Sequence, residues 1–534
     1  MKEGMVGDAP PFLQLPCELF ELASSYLSAD DLFSLRLTCH HIEASLFKSF
    51  CLEFFADRRF MVTFDSLKCL IEITKSPRFS GCLQRLTIGL DRLNSSAALP
   101  RFRELWDPAT RTVRDASTGT GGVDVHRLEI FAVEQSFLIS SGQLQLMLAE
   151  ALGNIRRLEE LRLQDRLSLK ATRRPTSNPR LVSYGASQVF RETGIDFKGQ
   201  ESHLHHNDEQ FVDMVFSAVL LALARKRTQL KTLTVCIQEA GIGLSSTAFM
   251  LPMFVFRDLE ETLFNLRSVD LSVSFIQVPL GRKTSSRSLE FLPWQEHQLF
   301  AFLEQTPNLT SLKIRSKEQG YVPDGIIKWL ARTLAPEQQE EQHNTGPVTE
   351  AVVETASTTP PSPGLSMLQL SNRKFAELRT LAIANMTAKT AILSRVLLYL
   401  APTLRQLDLT KVALKIKPLD HELDNNPDQP NAWSSLFRTM GGSLDLEELV
   451  ASALEHHTTN CSRESRGHPV AFLRSDMGVQ SGPSSGILNA WRVSGDAGTM
   501  RSLLKEMSEK TIILCEKCKR INPGYHCVKD VLDL

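Results

Sequence analysis

The pattern apolar-x-x-apolar-x-apolar recurs along this chain and limits its fold more than any other feature. It occurs at LQRLTI from Leu83, VHRLEI from Val125, LEELRL from Leu158, LKTLTV from Leu230, LRSVDL from Leu266, LTSLKI from Leu309, LRTLAI from Leu378, LRQLDL from Leu404 and LEELVA from Leu446. Alternate positions within each copy suit a short strand with one buried face. Several copies come after segments of helical periodicity: SGQLQLMLAEALGNIRR, DEQFVDMVFSAVLLALARKR, EHQLFAFLEQT, KTAILSRVLLYLAPT and NAWSSLFRTM. Helix followed by strand, repeated, predicts an α/β chain with parallel strands, because parallel neighbours require a crossover and a helix usually supplies it.

The copies are spaced more widely and less evenly than the roughly 20 to 29 residues of a regular leucine-rich repeat. An irregular leucine-rich-repeat-like solenoid with long insertions is therefore expected, with a concave face or loops free to bind a protein. The expected insertions lie near 170–208, 335–366 and 415–431. They lack sustained periodicity, and the second is rich in Pro, Thr, Glu and Gln, too polar to offset its ordering entropy.

At 534 residues, with 42% hydrophobic and 23% charged residues, the chain has ample material for a large core. Its formal net charge of −1 argues against a surface built to coat nucleic acid. The N-terminal MKEGMVGDAPPF lacks the basic and apolar regions of a secretory signal. The most apolar run, MVFSAVLLALA at 214–224, falls short of the roughly 20 residues that span a bilayer. No membrane segment is expected, and this run reads as a buried helix. The ten cysteines are scattered, as free thiols in a reducing interior would be.

The N-terminal region carries a separate signal. Pro16 suits the start of a helix, and Leu19, Leu22, Ala23, Tyr26 and Leu27 come after it at helical spacing to about Leu27. Ser28 reads as the N-cap of a second helix with Asp30 and Asp31 in its first turn and Leu32, Leu35 and Cys39 behind them. A third helix is expected from His41, carrying Ile42, Leu46, Phe47, Phe50, Leu52 and Phe54. Three helices in about forty residues cannot bury this much apolar surface unaided. They require a partner surface.

In these residues the chain resembles the F-box family: Leu15-Pro16, Glu18-Leu19, Tyr26-Leu27, Ser28 with Asp31-Leu32, and Leu35-Arg36-Leu37 leading into Cys39. FFADRRFMVTFDSLKCL at 54–70 and LQRLTIGLDRL at 83–93 are similar to the segment just beyond the F-box in many members. Two features depart from the pattern: Leu22-Ala23 where Glu-Ile is more usual, and His40-His41 where a basic residue is customary. The resemblance implies an F-box at 10–55 and a substrate-recognition domain at 56–534. It also implies docking onto a Skp-type adaptor and through it a cullin, in the cytoplasm or nucleus, with Leu15, Pro16, Leu19, Leu27, Leu32 and Leu35 as the adaptor-binding residues. On this expectation the chain selects an unknown target protein for ubiquitin-dependent degradation and does no chemistry itself; the rival reading is a solenoid scaffold whose N-terminal helices close its own core.

Nothing else in the sequence asks for catalysis or a cofactor. GTGG at 119–122 precedes an expected strand, so it lacks the strand-to-helix setting of a phosphate loop. His205-His206, with Asp208-Glu209 behind them, and His456-His457 read as ordinary histidines. Cys515-x-x-Cys518 has zinc-knuckle spacing, but His526 and Cys527 are adjacent and would need a further ligand such as Cys461 to complete a tetrahedron. Free cysteines are the default reading for Cys515, Cys518 and Cys527.

Overall fold

The computed structural model describes residues 15–93, 106–107, 112–113, 124–165, 183–194, 208–238, 241–274, 277–279, 289–291, 293–317, 324–334, 375–416, 431–458, 468–473, 487–514 and 525–526. The chain is mixed α/β with mostly parallel strands. Its contacts divide it into two compact units, one from residues 1–238 and 253–262, the other from 239–252 and 263–534.

The first unit opens with α1 (Cys17–Ser24), α2 (Ala29–Arg36) and α3 (His40–Phe54). Then come β1 (Asp57–Met61), α4 (Phe64–Lys75), β2 (Arg85–Gly89), α5 (Val125–Ser140), α6 (Gln143–Asn154), β3 (Glu160–Gln164), α7 (Ala186–Thr193), α8 (Asp208–Lys226) and β4 (Thr232–Cys236). The four strands pair in chain order, all parallel and without stagger. Leu86 lies opposite Arg58 and Leu161, and Leu161 opposite Leu233. Each of β2, β3 and β4 starts two residues after the first leucine of its motif, and those leucines, Leu83, Leu158 and Leu230, are buried. Helices α4, α6 and α8 pack side by side. Thus the run at 214–224 is a core helix, with Val215, Phe216, Val219, Leu220 and Leu223 all buried.

Two expectations fail here for local reasons. VHRLEI is not a strand: Asp124 caps α5 by accepting a hydrogen bond from Arg127 N at 2.9 Å. The buried stripe Leu128, Phe131, Gln135, Leu138 then runs at helical spacing, with Ile130 left exposed. Within 170–208, the part that falls on described residues contains helix α7, bounded by Gly185 and Gly194 at φ 93° and 74°, with Ala186, Val189 and Thr193 buried on one face.

The second unit contains β5 (Ser268–Val273), α9 (Pro293–Glu304), β6 (Ser311–Ser316), α10 (Gly325–Leu334), β7 (Thr380–Lys389), α11 (Thr390–Leu400), β8 (Gln406–Ile416), α12 (Ala432–Ser443) and β9 (Glu448–Ser452). These five strands are again parallel and unstaggered, aligning Val269, Leu312, Leu381, Leu407 and Leu449. The pattern then breaks. Later strands include β10 (Glu455–Thr458), β11 (His468–Leu473), β12 (Ala490–Ser494) and β13 (Thr511–Leu514), with α13 (Ala497–Lys510) just before β13. β12 pairs antiparallel with β9, and β11 lies antiparallel to both β10 and β13.

The second unit also carries one rung of left-handed residues. Asn385, Lys411 and Ala453 have φ of 59°, 51° and 49°, and the register on either side places them level with one another. A left-handed residue costs an L-amino acid with a Cβ roughly 1–2 kcal/mol, and only Asn among these three tolerates it well. Of the expected insertions, 335–366 lies outside the described residues, as does most of 415–431; Lys415 and Ile416 end β8, and Asn431 caps α12.

Candidate docking surface

The three N-terminal helices enclose a small core of Phe20, Leu32, Ile42, Leu46, Phe50, Cys51 and Phe54. The local code matches the fold. Pro16 precedes α1 with φ −56° and ψ 150°, and its carbonyl accepts hydrogen bonds from Leu19 N and Phe20 N. Ser28 Oγ accepts from Asp31 N at 3.2 Å and donates to the Asp31 carboxylate at 2.6 Å, closing the start of α2.

The two short helices present their apolar residues in opposite directions. On α1 the core contact falls to Phe20, while the stripe with helical spacing points outward: Leu19 is 47% exposed and Leu22 56%. Tyr26 and Leu27, in the turn after α1, are exposed at 83% and 40%. On α2, Leu32 points inward and Leu35 packs onto the core, leaving Phe33 and, just past the helix, Leu37 in water. Phe33 still rests one side on Phe50 and Phe54, with ring centroids 5.8 and 5.1 Å away. Exposed large apolar residues concentrated over residues 19–37 are more than isolated surface leucines.

Of the six expected docking residues, Pro16, Leu19 and Leu27 are exposed, Leu15 and Leu35 are partly buried against the core, and Leu32 is buried. Leu32 is therefore a core residue and cannot contact a partner without unfolding α2. Leu22, Tyr26, Phe33 and Leu37 are the exposed residues missing from that set. Leu22 and Tyr26 were visible as part of the α1 stripe, since residues three and four apart share a helix face; Phe33 and Leu37 share a face of α2 by the same rule.

Charge locks the rim of this module. The Arg36 guanidinium sits 3.4 Å above the Phe50 ring. Arg78 and Arg36 both bond the Glu43 carboxylate, and these hydrogen bonds, that of Arg78 foremost, hold its carboxyl below the usual carboxylate range.

The most enzyme-like cluster elsewhere in the first unit is closed upon itself. Arg59 Nη2 donates to Asp91 Oδ1 at 2.8 Å and to the carbonyls of Gln164 and Asp165. Ser183 Oγ donates to Asp91 Oδ2 at 3.0 Å. Burial pushes the Asp91 carboxyl up, with Arg59 opposing. A Cβ on Gly89 would meet Asp91 Oδ2 at 2.4 Å, so the backbone of β2 packs tightly against this pair.

His456 is buried on β10 directly opposite His468 of β11, while His457 Nε2 lies 3.2 Å from Glu455 Oε2. Among the described residues no group of three or more His, Cys, Asp or Glu is gathered to hold a metal. Cys461, Cys515, Cys518 and Cys527 lie outside the described residues, as do GTGG at 119–122 and His205-His206; His526 ends a two-residue strand. No helix among the described residues is long and apolar enough to cross a membrane. No protein-family model matches the chain, and no curated protein matches its sequence.

Proposed function

We propose that the chain is a non-enzymatic substrate receptor of a Skp-cullin-F-box type ubiquitin ligase, working in the cytoplasm or nucleus. The N-terminal helices dock on the Skp-type adaptor, and the strand-helix region, an irregular leucine-rich-repeat-like array, holds the target protein. The observation that carries this reading is the outward apolar stripe of Leu19, Leu22, Tyr26 and Leu27 beside a core filled from the other side. Helices that served only to close their own core would turn that stripe inward, which disfavours a plain scaffold. Burying a leucine side chain fully contributes about 1.5–3 kcal/mol, so a few such residues suffice for specific association.

On this reading the mechanism is proximity. The receptor raises the effective concentration of a target lysine near the charged ubiquitin carrier, and the chemistry belongs to other subunits. The test is Leu19→Asp with Leu27→Asp in the full chain, assayed for binding to a purified Skp-type adaptor. Binding should fall about a hundredfold or more while the circular dichroism spectrum is unchanged, since both side chains are exposed. Undiminished affinity would refute the docking assignment.

A further inference from the structure

The two cysteines where the N-terminal helices meet the first strand-helix unit are placed to act together. Cys51 lies on α3, buried within the three-helix core. Cys82 lies in the turn between α4 and β2, half-buried, and packs against that same core. The Cys82 thiol neighbours that of Cys51 and helps to hold it protonated, while Cys82 Sγ donates to the Arg78 carbonyl at 3.5 Å. That turn is held by hydrogen bonds from Ser80 N to Ser76 O and from Cys82 N to Phe79 O. Phe79 in turn stacks on Phe55 at 4.5 Å, so the segment bearing Cys82 is fixed against the end of α3. The neighbouring residue leaves the outer side open, since a Cβ on Gly81 would meet nothing within 4 Å.

We propose that Cys51 and Cys82 form a reversible disulfide under a two-electron oxidant such as hydrogen peroxide, stapling the helical docking module to the first strand-helix unit. The half-buried Cys82 is the sulfur that a peroxide reaches first. Its sulfur attacks one peroxide oxygen, the O–O bond breaks, and a sulfenic acid and one water result. The Cys51 sulfur then attacks the Cys82 sulfur, the S–S bond forms, the S–O bond breaks, and the Cys51 proton leaves with the hydroxyl as a second water. Two thiols and one peroxide become one disulfide and two waters; a dithiol reductant reverses the reaction.

Burial of Cys51, aided by the neighbouring Cys82 thiol, pushes its own thiol up to about 12, so the resolving step is slow at neutral pH and quickens as the pH rises. Cys39, on the same core, and Cys17 and Cys69 provide internal controls. The consequence is mechanical: the disulfide ties α3 covalently to the turn before β2. The staple forms whichever partner the helices bind.

The test is to treat the full native chain with hydrogen peroxide, block remaining thiols with iodoacetamide, digest with trypsin without reductant and examine the peptides by mass spectrometry. The expected product joins SFCLEFFADR, residues 49–58, to FSGCLQR, residues 79–85, and disappears on adding dithiothreitol. Thermal melting should rise by roughly 5–10 °C on oxidation of the native chain, the order expected for closing a loop of this length, and should not rise for Cys82→Ser. Both cysteines recovered alkylated, Cys82 recovered only as sulfinic acid, or a bond from either to Cys39 would overturn the proposal. A Cys51→Ala chain tests the order of steps independently, since Cys82 should then stop at the sulfenic acid and react with dimedone.

Discussion

Replacing Glu296 with glutamine should make the second unit more stable at alkaline pH and leave it nearly unchanged at acid pH. Glu296 stands in the first turn of α9, its carboxyl against Gly325 at the start of α10; a Cβ on Gly325 would fall 1.6 Å from Oε2. Burial disfavours the charged form, the Asp324 carboxylate adds to this, and Lys328 and Arg332 oppose it, leaving the group pushed up to about 7. In the unfolded chain it titrates near 4.5. Between these values the folded chain binds more proton than the unfolded one, so stability falls as pH rises from about 4.5 to 7 and stays at the lower level above. A shift from 4.5 to about 7 is 2.5 pH units, which at about 1.36 kcal/mol each sets a ceiling of roughly 3 kcal/mol. Water still reaches part of the side chain, and that screening brings the expected effect to about 1–2 kcal/mol. Urea unfolding monitored by circular dichroism at pH 5 and pH 8.5 is the assay. Glu296→Gln should exceed the native chain by that amount at pH 8.5 and by only about a quarter of it at pH 5, where the loss has just begun. A difference independent of pH, or a variant weaker at pH 8.5, would refute the reasoning.

Gly89→Ala should destabilise the first unit by about 1–3 kcal/mol, because the new methyl group overpacks the Arg59–Asp91 pair; an unchanged melting temperature would show that the pair yields freely. Ala453→Gly should stabilise the chain by about 0.5–1 kcal/mol, the relief of a left-handed Cβ at φ 49° less the added unfolded-state entropy; denaturant midpoints measure it. Leu32→Ala should cost about 2–5 kcal/mol in stability as a core truncation, so any loss of adaptor binding should track the unfolded fraction in a melt monitored alongside.

The strands were legible because each motif carries its own physical instruction. A leading leucine anchors the turn into the strand, and two alternate apolar residues then face the helices, as in LEELRL, LTSLKI and LRQLDL. β1 escaped this pattern because Arg58 occupies the register position where Leu86 and Leu161 stand in the next two strands. VHRLEI is ambiguous because its spacing fits a strand and a helix equally, and the deciding residues, Asp124 and Phe131, lie outside the motif. The left-handed rung had no signature at Lys411 or Ala453, where tertiary pairing and not propensity sets φ. At the docking helices the periodicity was plain but its direction was not. Whether a stripe faces a core or water depends on neighbours distant in sequence, and so Leu32 was grouped with Leu19 although the two face opposite ways.

Titration of the purified full-length chain with a Skp-type adaptor by calorimetry tests the central claim most directly. Saturable one-to-one binding that the Leu19→Asp, Leu27→Asp chain lacks is the result predicted for a ligase receptor. No heat and no complex with a correctly folded chain would contradict it, leaving the N-terminal helices without an adaptor-docking role.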